Sequence, residues 1–472
     1  MRLKILVLLF CLFPVNHLAQ ALPIDWNGAV GFDTNVIKNI KRTTDACAEV
    51  DGSYCPGDDE GNGRYQSFTL KLNPTIIVND SASLKAELST GQIRGGFMGE
   101  DTTAQDQSSY FAQSPSGEQT LAINQFYAEL YADTALFKVG KFSKNFGLGA
   151  MISGGDDIWD RYFSVYNGVE ARFNLGKFSI VPVWAKIQTP NPAETTEDMH
   201  TGKYDTTETG ITAAYEDLNN NFKFSLYYGI REVETNSDLY GTDTGPSEVT
   251  LIDIFFEKAW NNFTIAMEIP MMTGEVGTIY DVNDEAKDID TNAYILETSY
   301  QLNPRWLLGL NGGMVKGEDG EDQFSALYLH PNYKIAELMF RYNYQAFQQA
   351  DQSIFNASVN NANYAKLFAH YKSDAWVWKL AFIMAKANET ASTGNQFYNH
   401  ETNSFTEANA DQSDDMGMEL DVSFDYIWNP GIIVTGYVGH WMVGDYYGFT
   451  NTADGVETAD VTATGLRLSM EF

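Results

Sequence analysis

The chain has 472 residues, and its 63 acidic against 30 basic side chains give a formal net charge of −33 at pH 7. A surface of that sign repels phosphate, so nucleic acid is excluded as a partner. The 26 Tyr, 29 Phe, 9 Trp and 39 Gly favour strands and turns, and apolar stripes with the helical period are scarce.

The N-terminus has the pattern of a secretory signal peptide. Basic residues at the start precede an apolar run from Ile5 to Phe13, and the small residues Ala19 and Ala21 follow. We expect residues 1–21 to direct export and to be cleaved off, which leaves residues 22–472 as one domain. No later apolar run is long enough for a membrane-spanning helix, so any passage through a membrane has to use strands.

Two cysteines, Cys47 and Cys55, lie close together in the polar stretch CAEVDGSYC. In an oxidising compartment such a pair forms a disulfide. The alternative, a zinc site, needs further ligands, and no His or other Cys lies near in the sequence. The sequence therefore predicts a disulfide in the first long loop, with no metal site and no cofactor.

The rest of the chain has the pattern of successive strands, the first near Trp26 and the last ending at Phe472. In MELDVSFDYIW, apolar Met418 and Leu420 alternate with Glu419 and other polar residues, because side chains on a strand alternate faces. The final stretch GLRLSMEF alternates in the same way. Each such strand has an apolar face and a charged face, which suits a barrel with lipid outside and water inside.

The connections between these strands alternate between short turns and long polar loops. Trp260, Trp306, Trp376 and Trp428 lie beside the short turns, as in the aromatic belt of a membrane interface; a soluble β-sandwich, the alternative, gives no reason for this. We expect an all-β, transmembrane, antiparallel up-and-down barrel of about 18–20 strands, with short periplasmic turns and long acidic external loops. The strand number depends on ALYLHPNYKIAELMF, which we interpret as two strands with a turn at Pro331 or as one irregular strand.

Charged residues on the polar faces of these strands are candidates for the lining of a lumen. The set is mixed in sign, whereas the acidic loops at the mouth predict a modest preference for cations. Its members are Lys71, Glu129, Arg172, Arg231, Asp253, Glu297, Arg341, Glu419, Asp421, Asp425 and Arg467.

The long connection at 143–166 mixes glycines, aromatic residues and charges, and it is too apolar for a plain solvated loop. We expect it to fold inward and narrow the pore, with its charged residues at the constriction; the alternative is an external loop packed on its neighbours. The constriction candidates are Asp156, Asp157, Asp160 and Arg161.

The run VGKFSKNFGLGAMISGGDDIWDRYFSVYNGVEARF, which contains this connection, resembles a segment of large porin-like and alginate-export-like barrels. In those proteins a strand ending in V-G-[KR] leads to F-G-L-G, an acidic turn, D-R-[YF] and a D/N-G-V strand. The resemblance implies a Gram-negative outer-membrane location and a C-terminal aromatic residue, here Phe472, that the barrel-assembly machinery recognises. Alginate exporters line their lumen with many basic residues, and the mixed set in this chain departs from that pattern.

The expected function is that of an outer-membrane porin, a passive diffusion channel for small hydrophilic solutes and ions. One alternative is a selective channel for sugars, oligosaccharides or exported polysaccharides, with Tyr127, Tyr131 and Tyr227 stacking on sugar rings. Another is a structural or adhesive barrel with partner-binding loops. No catalytic residue is expected, because no nucleophile motif is present. Expected partners are outer-membrane lipid, lipopolysaccharide, the barrel-assembly machinery and the solutes, and a homotrimer stays open beside a monomer.

Overall fold

Eighteen long antiparallel strands close into one barrel in the part of the chain that the structure describes. The computed structural model describes residues 23–40, 63–90, 96–97, 121–188, 206–237, 243–276, 288–319, 323–342, 344, 357–399, 404–451 and 458–472. The first nine strands are β1 Ile24–Lys38, β2 Gly63–Asn79, β3 Ala82–Thr90, β4 Leu121–Tyr131, β5 Ala135–Ser143, β6 Val165–Leu175, β7 Phe178–Gln188, β8 Thr206–Asp217 and β9 Phe222–Ser237. The others are β10 Asp243–Trp260, β11 Phe263–Glu275, β12 Asp288–Asn303, β13 Trp306–Val315, β14 Ala362–Ser373, β15 Trp376–Ala387, β16 Asp415–Asn429, β17 Ile432–Val443 and β18 Val461–Glu471. The predicted all-β, antiparallel up-and-down barrel of about 18–20 strands is confirmed, whereas the acidity of the external loops and the periplasmic position of the short turns stay predictions.

The last strand closes the ring by pairing with the first, antiparallel, so that Asp33 lies opposite Arg467. Phe472 and Gly28 exchange two main-chain hydrogen bonds, of 2.8 and 3.0 Å. Leu466 is 50% exposed on the outer face, whereas Arg467 is 7% exposed and points inward. The alternation predicted for the final strand is therefore present, with the apolar row outside. The role of Phe472 in assembly stays a prediction.

The two ends of the barrel differ in their connections. Short turns join the strands at one end, and the longer connections lie at the other. Trp260, Trp306, Trp376 and Trp428 all lie within a residue or two of short turns and are exposed on the outer surface, as the aromatic belt predicted. Which end faces the periplasm stays a prediction.

The stretch ALYLHPNYKIAELMF adds no strand to the barrel wall, so both interpretations of it were wrong. Among the described residues around it, only Gln323–Phe324 forms a two-residue strand, beside β12, and an isolated bridge joins Tyr328 and Asn360. The physical reason is the absence of alternation, because Ala326 and Leu329 and the residues between them are all apolar. Leu327 and Leu329 are buried among the side chains of Ile335, Leu338 and Met339.

The connection between β15 and β16 carries a separate hairpin, in which Gln396–Asn399 pairs with Ser404–Glu407. No helix among the described residues has the length and apolar character needed to cross a membrane.

Candidate functional site

Residues 144–164, between β5 and β6, form what we call the first lumen segment. Lys71 on β2 donates from Nζ to the main-chain oxygen of Gly155 at 3.0 Å. The amide of Leu148 donates to the carboxylate of Glu268 on β11. Because β2 and β11 lie on opposite walls of an eighteen-strand ring, the segment crosses the lumen.

Residues 323–342, between β13 and β14, form the second lumen segment. The hydroxyl of Tyr333 donates to Glu297 on β12 at 3.0 Å, and the hydroxyl of Tyr65 on β2 donates to that of Tyr342 at 2.7 Å. These strands again lie on nearly opposite walls. Both segments therefore occupy the lumen, and the sequence pattern indicated only the first.

The two segments also bind each other. The side-chain amide of Asn332 donates to the main-chain oxygen of Tyr162 at 2.7 Å. The amide of His330 donates to the main-chain oxygen of Ala150 at 2.6 Å. The segments thus form one layer across the barrel interior, since each supports the other away from the wall.

Arg161, a predicted constriction residue, is 7% exposed inside this layer. Its guanidinium donates to the hydroxyl of Ser67 at 2.7 Å and lies 4.0 Å from the carboxylate of Asp33. It therefore ties the first lumen segment to β1 and β2.

The three predicted constriction aspartates lie in the turn just before Arg161. Asp156 and Asp157 are exposed, the carboxylate of Asp156 accepts from the side-chain amide of Asn145, and that of Asp157 accepts the amide of Trp159 at 2.8 Å. The carboxylate of Asp160 accepts the amide of Asp157 at 3.1 Å. The acids thus shape the turn, and their effect on permeating ions stays a prediction.

Basic side chains from both segments and from β18 meet beside this turn. We call them the basic cluster; its members are Arg161, Lys334, Arg341 and Arg467. The carboxylate of Glu337 accepts from Arg341 and lies 3.2 Å from Arg467, and Asp33 lies 3.7 Å from Arg467. The four basic side chains and Asp33 line a cavity of about 30 Å³.

The charge of this cluster depends on pH. Burial and the neighbouring Arg341 lower the pKa of Lys334 to about 7. Burial by itself would raise the pKa of Glu337, but Arg341 and Arg467 lower it to about 2. Near neutral pH, Glu337 is therefore an anion and Lys334 is partly protonated, which leaves a small positive excess that grows as pH falls.

The other predicted lumen charges lie on inward strand faces, with one exception. Lys71, Glu129, Arg172, Arg231, Asp253, Glu297, Glu419, Asp421, Asp425 and Arg467 lie on the wall. Arg341 was predicted on a strand and lies instead in the second lumen segment. The correction has the same cause as the misassigned strand, because the alternation of the chain was extended through a region that does not alternate.

Many of these wall charges form pairs with opposite charges. Glu129 lies 2.8 Å from Lys85, and Asp425 lies 2.6 Å from Lys379. Arg231 donates to Glu208 at 2.6 and 3.1 Å. The two charges of each such pair largely cancel. The basic cluster has more positive than negative charges, so it contributes more to the electric field along the lumen.

Sequence reasoning missed Glu268, which is 0% exposed and accepts an amide of the first lumen segment. It lies diagonally across from Asp253, a predicted lumen residue on the neighbouring strand β10. The sequence contains a weak signal for Glu268. It is the one charged residue on the inward face of β11, where Thr264 and Ala266 occupy the alternate positions before it.

One predicted sugar contact does not hold. Tyr227 is fully buried beneath the first lumen segment, where Lys144 lies 3.8 Å from its ring centre. A sugar ring has no access to that face, so stacking there is excluded. Tyr127 is partly exposed and Tyr131 is exposed.

Cys47 and Cys55 lie outside the described residues, so the disulfide stays a prediction. Among the residues that are described, no group of three or more His, Cys, Asp or Glu side chains is arranged to hold a metal ion.

A closed barrel with an apolar exterior and a charged, partly filled lumen defines a porin-like outer-membrane barrel. Solved structures with this fold include Pseudomonas aeruginosa OpdK (11% identity, TM-score 0.50, covering 95% of this chain and 99% of that one). Others are OccK5 (OpdH; 10%, 0.50, 95% and 98%) and OccK2 (OpdF; 9%, 0.51, 95% and 98%), both from the same organism. No family model and no curated protein matches the chain. At these identities the likeness shows the fold alone.

Proposed function

We propose that this chain is a porin of the Gram-negative outer membrane, a passive diffusion channel for small hydrophilic solutes and ions. The observation that carries the proposal is the closed barrel whose inward face is charged and whose outward face is apolar. In this proposal the protein is a channel and not an enzyme, and solutes move down their gradients past the layer formed by the two lumen segments.

The orientation and the partners belong to the same proposal. Residues 1–21 direct export and are removed, and residues 22–472 form the barrel. The short turns face the periplasm and the long acidic connections face outward, among lipopolysaccharide. The barrel-assembly machinery recognises the strand that ends at Phe472, and a homotrimer stays open beside a monomer.

The basic cluster supports passage of small anionic solutes through a protein whose net charge is strongly negative. Its arginines present donors that suit carboxylates. A neighbour of the same fold, Pseudomonas aeruginosa OccK2, has been solved in complex with glucuronate, which makes glucuronate a suitable probe. The acidic loops favour cations, whereas the basic cluster favours anions. Because the two contributions to ion preference have opposite signs, measurement can separate them.

Planar-bilayer recording tests the proposal. We expect a steady ohmic conductance from the purified full chain, and glucuronate should reduce the current more than neutral glucose at the same concentration. A protein that inserts without conducting would contradict the channel and favour the structural or adhesive alternative. Stronger block by glucose would favour the sugar channel.

A further inference from the structure

The two lumen segments are held to the wall in the same way. In each, consecutive main-chain groups of a tight turn approach a buried wall glutamate, Glu268 for the first segment and Glu419 for the second. Both glutamates are 0% exposed, and each has an aspartate beside it on the wall, Asp253 and Asp421 respectively. The two sites lie on β11 and β16 and so hold different parts of the layer.

At the first site the close approach depends on a glycine. Gly147 has φ +56° and lies directly against the carboxylate of Glu268, where a Cβ would collide with it. The next residue, Leu148, donates its amide to that carboxylate. Oε2 of Glu268 accepts this amide, and the amides of Ala150 and Met151 also face the carboxylate.

The second site uses both oxygens of its glutamate. Oε1 of Glu419 accepts the amide of Leu338 and Oε2 accepts that of Met339, each at 2.7 Å. Asp421 accepts the preceding amide, that of Glu337, at 3.1 Å. Phe340 follows with φ +60°, so successive amides point to one side of the turn and form a concave anion-binding arrangement.

Water has no access to replace these buried acceptors, so losing one of them leaves amides of the turn without a partner, which is costly. The donors belong to the main chain of the segments, whereas the acceptors are single wall residues. We propose that Glu268 and Glu419 are positioning residues that hold the two segments in the lumen and thereby set the width of the pore. This inference rests on the proposed channel function.

The test compares Glu268→Ala and Glu419→Ala with Glu257→Ala. Glu257 is a matched control, because it is a glutamate on β10 that pairs with Lys223 at 3.2 Å and is bound by neither segment in the described residues. We expect higher single-channel conductance in the first two variants and no change in the control. Amide hydrogen exchange in residues 146–152 or 337–342 should accelerate roughly tenfold or more in the matching variant.

Glutamine variants separate the role of the acceptor from that of mere packing. Glutamine keeps one acceptor oxygen, so Glu268→Gln should retain wild-type conductance, whereas Glu419→Gln should be intermediate because one of its two amides loses its partner. Heat-modifiable migration on gels verifies that each barrel has folded. Unchanged conductance and exchange in both alanine variants would overturn the proposal, as would Glu268→Gln behaving like Glu268→Ala.

Hydrogen exchange keeps the two proposals distinguishable. If the wild-type protein does not conduct but exchange accelerates in the alanine variants, the glutamates do hold the segments and the channel function is what fails. If the wild-type protein conducts and the variants change neither reading, the channel stands and the inference about the glutamates is refuted.

Discussion

Changing Glu337 to glutamine should increase the preference of the channel for anions. The carboxylate binds Arg341 and lies 3.2 Å from Arg467, and its pKa of about 2 keeps it charged at neutral pH. The variant therefore adds one net positive charge to the basic cluster while preserving shape. For an anion passing about 7 Å away in water, that charge is worth about 0.6 kcal/mol, which is close to RT and predicts a roughly twofold to threefold rise in relative anion permeability.

The reversal potential in a low-salt KCl gradient measures this preference, and the shift should shrink as salt screens the field. Glu257→Gln makes the same charge change on the wall, beside Lys223 and away from the cluster, and should shift the potential less. An equal shift in both variants, or none in Glu337→Gln, would show that ions do not pass close to the cluster.

Three further predictions concern pore size, pH and the disulfide. Deleting residues 150–160 should raise single-channel conductance in bilayers while leaving insertion intact, because the strands are untouched; unchanged conductance would mean that the first lumen segment does not limit the current. Lys334 has an ordinary pKa of 10.5, lowered to about 7, so it gains its positive charge as pH falls through that value. Anion preference should therefore increase between about pH 8 and about pH 6, and Lys334→Met should flatten this dependence. Intact-mass analysis after alkylation should find Cys47 and Cys55 protected until reduction; two free thiols would refute the disulfide.

The barrel itself could be predicted from the sequence because its signals are local. Alternation with period two places Leu466 outside and Arg467 inside without any knowledge of the neighbouring strands. The same local rule placed Glu419 and Asp421 on the inward face, and the tryptophans beside the short turns marked one end of the strands. Composition and alternation together sufficed for the fold class and for most of the lumen lining.

The sequence indicated that the connection at 143–166 folds inward, but only the tertiary structure revealed the second lumen segment and the contacts that hold both segments. Leu148 and Glu268 are 120 residues apart in the sequence, and Leu338 and Glu419 are 81 residues apart. These residues come into contact only because eighteen strands form a ring that brings opposite walls within reach of one segment. The stretch around Pro331 shows the limit of the local rule, because it has the apolar content of a strand without the alternation. Its contacts are with distant strands of the barrel and not with residues beside it in the sequence. Period two specifies which face a wall residue occupies, whereas the contacts of a segment that leaves the wall depend on the closure of the whole barrel.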